Sequence, residues 1–217
     1  DYQIIVDGDD EILINSIKQI KRDIAAQKND LLKVNDLKAC SFGKHLFQPL
    51  FHIRKGGKKI IIQPVTLNES EYRFVVDLKT WCEEHNADLE KDDIELFLLR
   101  NMSRGKGVGF FEAGRFYPDF ILWMLTSDKQ YITFIDPHGL LHGSGLGDEK
   151  IKLHKGIKDI EKRLNEPEVV LNSFILSWTQ YPKLKWGKEQ DELENMHVLF
   201  MQDDRDGYID KLFARLK

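Results

Sequence analysis

The sequence predicts an α/β protein, and three observations support this prediction. Of the 217 residues 41% are hydrophobic, and 13 Phe, 6 Tyr and 4 Trp supply large apolar side chains, which excludes a disordered chain. Short apolar runs of strand length alternate with segments in which apolar residues recur about every three to four positions, as they do in helices. Turns rich in Gly, Pro and Asp separate these segments.

Composition and charge limit the partners and the cellular compartment that are expected for this protein. Charged residues make up 31% of the chain with a net charge of −4, which argues against bulk attraction to nucleic acid but allows local basic patches. Cys40 and Cys82 form no C-x-x-C motif, so a reduced, cytoplasmic protein is expected. No apolar run approaches the roughly 20 residues that span a bilayer, so no membrane partner is expected. The first residue is not Met, and no signal peptide is recognisable, so we expect a piece of a longer protein.

The N-terminal part, residues 1–87, is predicted to be a helix and hairpin region. Helical spacing of apolar residues predicts an amphipathic helix from residue 10 to about 33. The two apolar runs in "HLFQPLFHIRKGGKKIIIQPV", joined by Lys55–Lys58, predict a β-hairpin. "ESEYRFVVDLKTWCEEH" has helical spacing, and the polar stretch "NADLEKDD" then indicates a domain boundary at about residue 88.

The C-terminal part, residues 88–217, begins with a predicted helix and three strands. "DDIELFLLRNMS" is interpreted as a helix with Asp92 as its N-cap. "VGFF" follows a Gly-rich basic loop and is interpreted as the first strand. Pro118 begins the second strand, and a turn at 127–129 leads back into the third, residues 131–136.

A loop, a helix and a further strand complete this part. Apolar residues at helical spacing predict a helix over about 153–164, which Pro167 ends. "EVVLNSFILSWT" is the fourth strand, and one more helix is expected from about Tyr208. The predicted element order is therefore α, β, β, β, α, β.

Two aspartates mark the ends of the second and third strands. Asp119 opens the run "FILWML", and Asp136 closes the run "YITFI". Strands joined by a short turn are antiparallel neighbours, so both carboxylates are expected at the open end of the hairpin. There they would repel each other unless they were protonated or bridged by a cation, and Mg²⁺ is a hard ion that suits them. The alternative is that both are exposed strand-end residues.

These motifs are similar to those of a known group of nucleases. Pro-Asp at the start of one strand and Asp-x-basic at the end of the next, after a helix with an early Glu, resemble the PD-(D/E)xK nuclease superfamily. "LFLLRNMSRGKGVGFFEAGRFYPDFILW" and "YITFIDPHGL" resemble the C-terminal nuclease region of helicase-nucleases related to the type III restriction subunit, over about residues 46–141. The resemblance implies a restriction-endonuclease-like αβββαβ core, with a mixed sheet flanked by helices. It also implies metal-dependent endonucleolytic hydrolysis of DNA phosphodiesters in a bacterial restriction or anti-phage setting.

The resemblance also assigns roles to individual residues. It makes Asp119 the principal ligand of Mg²⁺ or Mn²⁺ and Asp136 the second, with the backbone carbonyl of Pro137 as a possible third. Glu95 matches the place of an auxiliary catalytic acid, and Glu112 is a rival for that role. Glu95 has an ordinary interpretation as well, because a glutamate in a first helical turn complements the helix dipole.

His138 stands where the family has a lysine. Histidine has an ordinary pKa of about 6.5, so it is mostly neutral at pH 7 unless the two aspartates raise that pKa. It could act as a general acid or base, or as a metal ligand that favours Mn²⁺. The alternative is a degenerate site that binds DNA without cutting it. A zinc pair with His142 is not favoured, because both residues lie in a Gly-rich loop.

Basic residues suggest where DNA would lie. The first basic cluster, formed by Arg100, Arg104, Lys106 and Arg115, brackets the strands that lead to the aspartates, and its last three members are candidate phosphate contacts. A second basic cluster, residues 150–158, is interpreted as a solvated helix face. No G-x-x-x-x-G-K-[ST] motif occurs, so a helicase motor would have to lie elsewhere in a longer chain or in a partner subunit. The remaining alternatives are a catalytically inactive DNA-binding module and a scaffold that docks a partner.

Overall fold

The computed structural model describes the larger part of the chain, which divides into two compact units, residues 1–76 and 77–217. The described residues are 3–6, 11–26, 32–34, 37–43, 50–53, 60–63, 66–102, 107–110, 116–141 and 145–216. The protein is a mixed α/β protein whose second unit contains a five-stranded mixed sheet flanked by helices. Among the described helices, none has the length and apolar character needed to cross a membrane.

The first unit contains two small antiparallel sheets, with strand orders β1-β5 and β2-β3-β4. Its elements are β1 (Gln3–Val6), α1 (Glu11–Ala25), β2 (Leu32–Val34), β3 (Leu37–Cys40), β4 (Leu50–Ile53), β5 (Ile60–Gln63) and the first half of α2 (Glu69–Glu84). The amphipathic helix α1 is confirmed, with Ile20 buried in the core. It ends before residue 33 because the chain from Leu32 onward pairs with β3.

The predicted hairpin between the runs around residues 51 and 61 is wrong. Among the described residues, β4 pairs with β3, and β5 pairs with β1. Phe51 and Ile62 are nevertheless buried in the same apolar cluster. Both runs therefore contribute to one core without pairing with each other, because tertiary contacts decide which strands pair.

The second unit contains the sheet order β10-β9-β8-β7-β6. The three strands β6, β7 and β8 form an antiparallel meander, whereas β9 runs parallel to β8 and β10 runs parallel to β9. After the second half of α2, the elements are α3 (Asn86–Lys91), β6 (Glu95–Arg100), β7 (Phe120–Leu125), β8 (Gln130–His138), α4 (Glu149–Leu164), β9 (Val169–Ser177), α5 (Gln190–Glu194), β10 (Val198–Phe200) and α6 (Tyr208–Ala214).

The segment predicted as a helix from Asp92 is a strand. Asp92 follows the short helix α3, which replaces the expected polar spacer, and every residue of β6 pairs with β7. The run "ELFLLR" has strand length, and its neighbour β7 is apolar enough to bury it, so pairing overrides the helical propensity of Leu and Glu. Among the described residues of the predicted strand "VGFF", Phe110 forms an isolated bridge with Phe116. The order α, β, β, β, α, β persists because β6 takes the place of the first strand.

Helices cover both faces of the sheet. On one face, which we call the α4 face, Ile121 and Phe134 pack against Leu153 and Ile157 of α4. On the other face, the amide of Asn172 donates a hydrogen bond to the carbonyl of Leu216, just after α6. Helix α6 and helix α4 were predicted, whereas α5 and β10 were not. Side chains alternate between the faces, so odd positions of β7 and even positions of β8 face α4.

Candidate active site

The register of β7 and β8 determines the position of the two aspartates. Phe120 pairs with Ile135, so one further step along both strands brings Asp119 opposite Asp136. Asp119 has the same parity as Ile121, and Asp136 has the same parity as Phe134, so both carboxylates face α4. The turn at 127–129, where Thr126 N donates to the carbonyl of Lys129 at 2.8 Å, sets this register. The sequence-based expectation that the two aspartates share one end of the hairpin is confirmed.

Strand β8 continues past the point at which β7 ends. The pairing with β7 stops at Ile135, but Asp136, Pro137 and His138 remain paired with β9. Pro137 therefore lies in a stretch that has a ladder on one side, where a missing N–H is tolerated. It is buried within the strand, in register with Leu176.

Asp119 is held in place by the end of β6. Asn101 N donates to the carbonyl of Asp119 at 2.8 Å, and Arg100 Nη1 donates to the same oxygen at 3.0 Å. Arg100 Nη1 also lies 3.4 Å from the carboxylate oxygen Oδ1 of Asp119. The side-chain amide of Asn101 donates to the carbonyls of Val108 and Pro118, both at 2.8 Å. Asn101 therefore connects the end of β6 to the segments on both sides of the isolated bridge.

The two carboxylates oppose each other electrostatically. Burial, followed by the charge of Asp136 and a hydrogen bond between the two side chains, raises the pKa of Asp119 to about 7. Arg100 and Lys150 act in the opposite direction but do not cancel this rise. The ionised form of Asp119 is therefore less favoured here than in a free side chain, as expected for a buried carboxylate beside a second one.

Asp136 is nearly inaccessible and has two nitrogen partners. Lys150 Nζ donates to Oδ2 of Asp136 at 2.8 Å, and His138 Nδ1 lies 3.3 Å from the same oxygen. Lys150 belongs to the first turn of α4, whose N-cap Asp148 accepts a hydrogen bond from Lys150 N at 3.0 Å. The ammonium also lies 5.0 Å from the centre of the Phe116 ring. The N-terminus of α4 thus brings a cation to the carboxylates.

The surroundings of His138 favour its neutral form. Burial, together with the nearby charge of Lys150, lowers its pKa, although Asp119 and a backbone contact act to raise it. Its Nδ1 faces two oxygens of Asp136, the carbonyl at 3.4 Å and the carboxylate at 3.3 Å. Both oxygens accept, so Nδ1 carries the proton and Nε2 keeps a lone pair. The neutral ring can therefore take up a proton.

The structure does not bring every predicted site residue to this place. Glu95 is exposed at the start of β6, opposite Leu125, whereas Asp119 lies beyond the other end of β7. Six residues of strand separate those two positions, or about 20 Å. The helix dipole that Glu95 was expected to complement does not exist, because Glu95 begins a strand. The other predicted residues, Arg104, Lys106, Glu112, Arg115 and His142, lie outside the described residues.

The fit of a metal ion can be judged from the donor set. Within the described part of the chain, no group of three or more His, Cys, Asp or Glu side chains could hold a metal ion. Two carboxylates that face each other, one of which holds a proton near pH 7, still suit Mg²⁺, which keeps several waters and takes one or two protein carboxylates. The pair therefore fits a hard divalent ion with few protein ligands.

Sequence reasoning did not assign three residues to this site: Arg100, Asn101 and Lys150. Arg100 and Asn101 lie within a segment that was interpreted as a helix, which would have directed them elsewhere. Lys150 lies within the basic cluster of α4 that was interpreted as a solvated face. Its position, two residues after an Asp N-cap in the helix that follows β8, was the available signal.

Comparisons with known proteins do not extend this description. No protein-family model, no curated protein and no solved structure matches the chain.

Proposed function

We propose that this protein is a metal-dependent deoxyribonuclease domain with a restriction-endonuclease-like fold. It would cleave DNA internally by hydrolysing phosphodiester bonds, as part of a helicase-nuclease that acts in restriction or anti-phage defence. One observation carries the proposal: Asp119 lies opposite Asp136 on the α4 face of the sheet, where burial and the charge of Asp136 raise the pKa of Asp119 to about 7. The element order α, β, β, β, α, β around a mixed sheet, which the sequence resemblance implies, also supports it.

The side chains around the pair have separable tasks. Asp119 and Asp136 would hold Mg²⁺ or Mn²⁺, which when bound polarises a phosphoryl oxygen and lowers the pKa of a bound water. Arg100 and Asn101 fix the backbone of Asp119, so that its carboxylate stays opposite Asp136. The neutral His138 would accept a proton from the attacking water at Nε2. Arg104, Lys106 and Arg115 remain proposed contacts to DNA phosphates.

The test is cleavage of supercoiled plasmid and of single-stranded DNA with Mg²⁺, Mn²⁺ or EDTA. We expect metal-dependent nicking by the wild type and a loss of about 10³-fold in Asp119→Ala, because the charge on the phosphoryl oxygens would lose its main support. Glu95→Gln is the matched control, since it removes a carboxylate at the other end of the same strands. It should cut like the wild type. A wild type that leaves both substrates intact under all conditions would overturn the proposal.

A second candidate function is favoured by the contact between Lys150 and Asp136. An ammonium 2.8 Å from Oδ2 already neutralises Asp136 and would compete with a metal ion for it. The chain would then be a catalytically inactive, nuclease-like module that binds DNA or docks a partner. In that case Asp119→Ala would bind DNA as the wild type does, and neither protein would cut with any metal.

A further inference from the structure

We infer that Lys150 is the residue of this site that contacts a phosphate group of the nucleic acid backbone. It would reach that phosphate from the first turn of α4, beside the two aspartates. The inference deepens the proposed function, because it assigns the phosphate contact of the same site. It begins with position: Lys150 Nζ reaches the Asp136 carboxylate at 2.8 Å, on the face that both aspartates share.

Arg100 and Lys150 are basic side chains that contact the two aspartates. Arg100 lies largely buried and is engaged with Asp119 through the carbonyl and the carboxylate. The Lys150 side chain is 36% exposed, although its partner Asp136 is only 5% exposed. Lys150 thus links a buried carboxylate to the solvent side from which a ligand would approach.

Binding of a cation by the two aspartates would free Lys150 for an anion. Near pH 7 Lys150 is the counter-ion of Asp136. Once a divalent ion neutralises the carboxylates, the ammonium keeps its charge but loses its partner. A phosphate oxygen is then the natural acceptor, because an ammonium carries three donors and no acceptor. The Phe116 ring, 5.0 Å from Nζ, limits the directions in which the side chain can turn.

Hydrolysis of the phosphodiester does not require a proton from Lys150. The oxygen of a water molecule forms a bond to phosphorus, and the bond from phosphorus to one ester oxygen breaks. The attacking water gives up a proton, which His138 can accept, and the leaving oxygen takes up a proton from solvent. Lys150 stays protonated throughout and donates hydrogen bonds to the non-bridging oxygens, on which negative charge increases.

Binding and cleavage by four proteins test the inference: wild type, Lys150→Met, Lys150→Arg and Lys155→Met. Lys155 is the matched control, because it is exposed on the same helix, five residues further on. Affinity for a short DNA duplex is measured over a range of salt concentrations at a fixed concentration of Ca²⁺, a hard divalent ion that the two aspartates would hold in place of Mg²⁺ and that would separate Asp136 from Lys150. Lys150→Met should lower the slope of log affinity against log salt by about 1, whereas Lys155→Met should leave it unchanged. In Mg²⁺, Lys150→Met should cut about 10²-fold more slowly, and Lys150→Arg should keep the binding slope.

The outcomes separate this inference from the proposed function. If the wild type cuts and Lys150→Met binds and cuts equally well, Lys150 is only a counter-ion and the nuclease stands. If the wild type does not cut but Lys150→Met alone loses the salt-dependent contact, the nuclease falls and the phosphate contact stands. If the wild type neither cuts nor binds DNA, both are overturned. Lys150→Gln replaces Lys150→Met if tryptophan fluorescence shows that the Met variant does not fold.

A last variant addresses the substitution at position 138. If Lys150 supplies the charge, His138→Lys should not speed cleavage, since it removes the proton acceptor and adds a second ammonium beside the first. A gain of about tenfold or more in His138→Lys, together with an unchanged Lys150→Met, would overturn the inference.

Discussion

The second unit contains two buried carboxylates with nearly identical surroundings at first sight. Asp136 and Glu194 are each 5% exposed, and each accepts a hydrogen bond from a lysine that is 36% exposed, at 2.8 and 2.9 Å respectively. We call the group around Glu194, formed by Glu194, Lys211, Arg215 and Asp204, the Glu194 cluster. The two buried carboxylates differ in the second charged side chain that each of them meets. Asp136 faces a second carboxylate, whereas Glu194 has a second cation, Arg215 Nη2 at 3.4 Å.

That difference distinguishes the Glu194 cluster, in which the charges are balanced, from the aspartate pair, in which two acids meet. In the Glu194 cluster two acids meet two bases, and hydrogen bonds from Lys211 to Asp204 and Glu194 raise the pKa of that lysine. At the aspartate pair, the pKa of Asp119 rises to about 7, so its surroundings disfavour the ionised form of this carboxylate. Burial and ion pairing are alike in the two places, so neither identifies a functional site. The proposed site rests instead on the raised pKa of Asp119, which burial and then the charge of Asp136 cause.

The largest effect on stability should come from the Glu194 cluster. Glu194→Gln removes a buried charge that two cations share and should lower the free energy of unfolding by about 3 kcal/mol. Asp136→Asn should change it by less than about 1 kcal/mol, because it also removes the repulsion with Asp119. Urea unfolding followed by tryptophan fluorescence measures this, since all four tryptophans lie in the second unit. An equal loss of unfolding free energy in the two variants would contradict the proposed difference between the Glu194 cluster and the aspartate pair.

A smaller effect, of the opposite sign, should come from Asp119. Because its pKa is raised from 3.8 to about 7, the folded protein holds a proton that the unfolded chain has already lost between those values. Stability from this residue therefore declines as the pH rises from about 4 to about 7. Asp119→Asn should be more stable than the wild type by about 2 kcal/mol at pH 8, and by much less at pH 4. That value is about half of what the full shift would give, since the side chain is partly open to solvent.

Unfolding curves at pH 4, 6 and 8 measure this second effect. The control is Asp204→Asn in the Glu194 cluster, which should destabilise the protein at pH 8, because Asp204 is paired with Lys211 at 2.8 Å. If Asp119→Asn is less stable than the wild type at pH 8, the aspartate pair is an ordinary stabilising contact.

The smallest effect should be the response to Mg²⁺. At a concentration ten times its dissociation constant, an ion that binds only the folded protein adds about 1.4 kcal/mol to the free energy of unfolding. We expect this gain in the wild type at pH 8, a smaller gain at pH 6, where a proton competes, and none in Asp119→Asn. Glu194→Gln should still show the gain. An equal response in Asp119→Asn would place the ion elsewhere.

The sequence was sufficient for the part of the fold that local signals determine. The turn at 127–129 predicts the β7–β8 hairpin, and through it the meeting of Asp119 with Asp136. Helices α1, α2, α4 and α6 follow from apolar residues at helical spacing. These features depend on contacts between residues close in the chain, so the pattern of apolar and polar residues is enough to find them.

What the sequence did not predict depends on partners far along the chain. Strand β6 has good helix formers and becomes a strand only because β7 lies beside it. Strand β10 pairs with β9 and is three residues long, so its apolar run is too short to be recognised as a strand from the sequence. Lys150 joins the site because α4 packs its Ile151 and Leu153 into the core, and a basic residue on a helix gives no sign of which carboxylate it will meet.

The exposed turn at 127–129 has one more consequence, for how this chain can change over time. In a strand, side chains alternate between faces, so a shift of register by one residue moves every side chain of β7 to the opposite face. The turn tolerates substitutions, since its three residues are exposed, but inserting or deleting one residue would turn Asp119 away from α4, about 20 Å from the change. A change in the length of this turn that shifts the register by one residue would therefore separate the two aspartates.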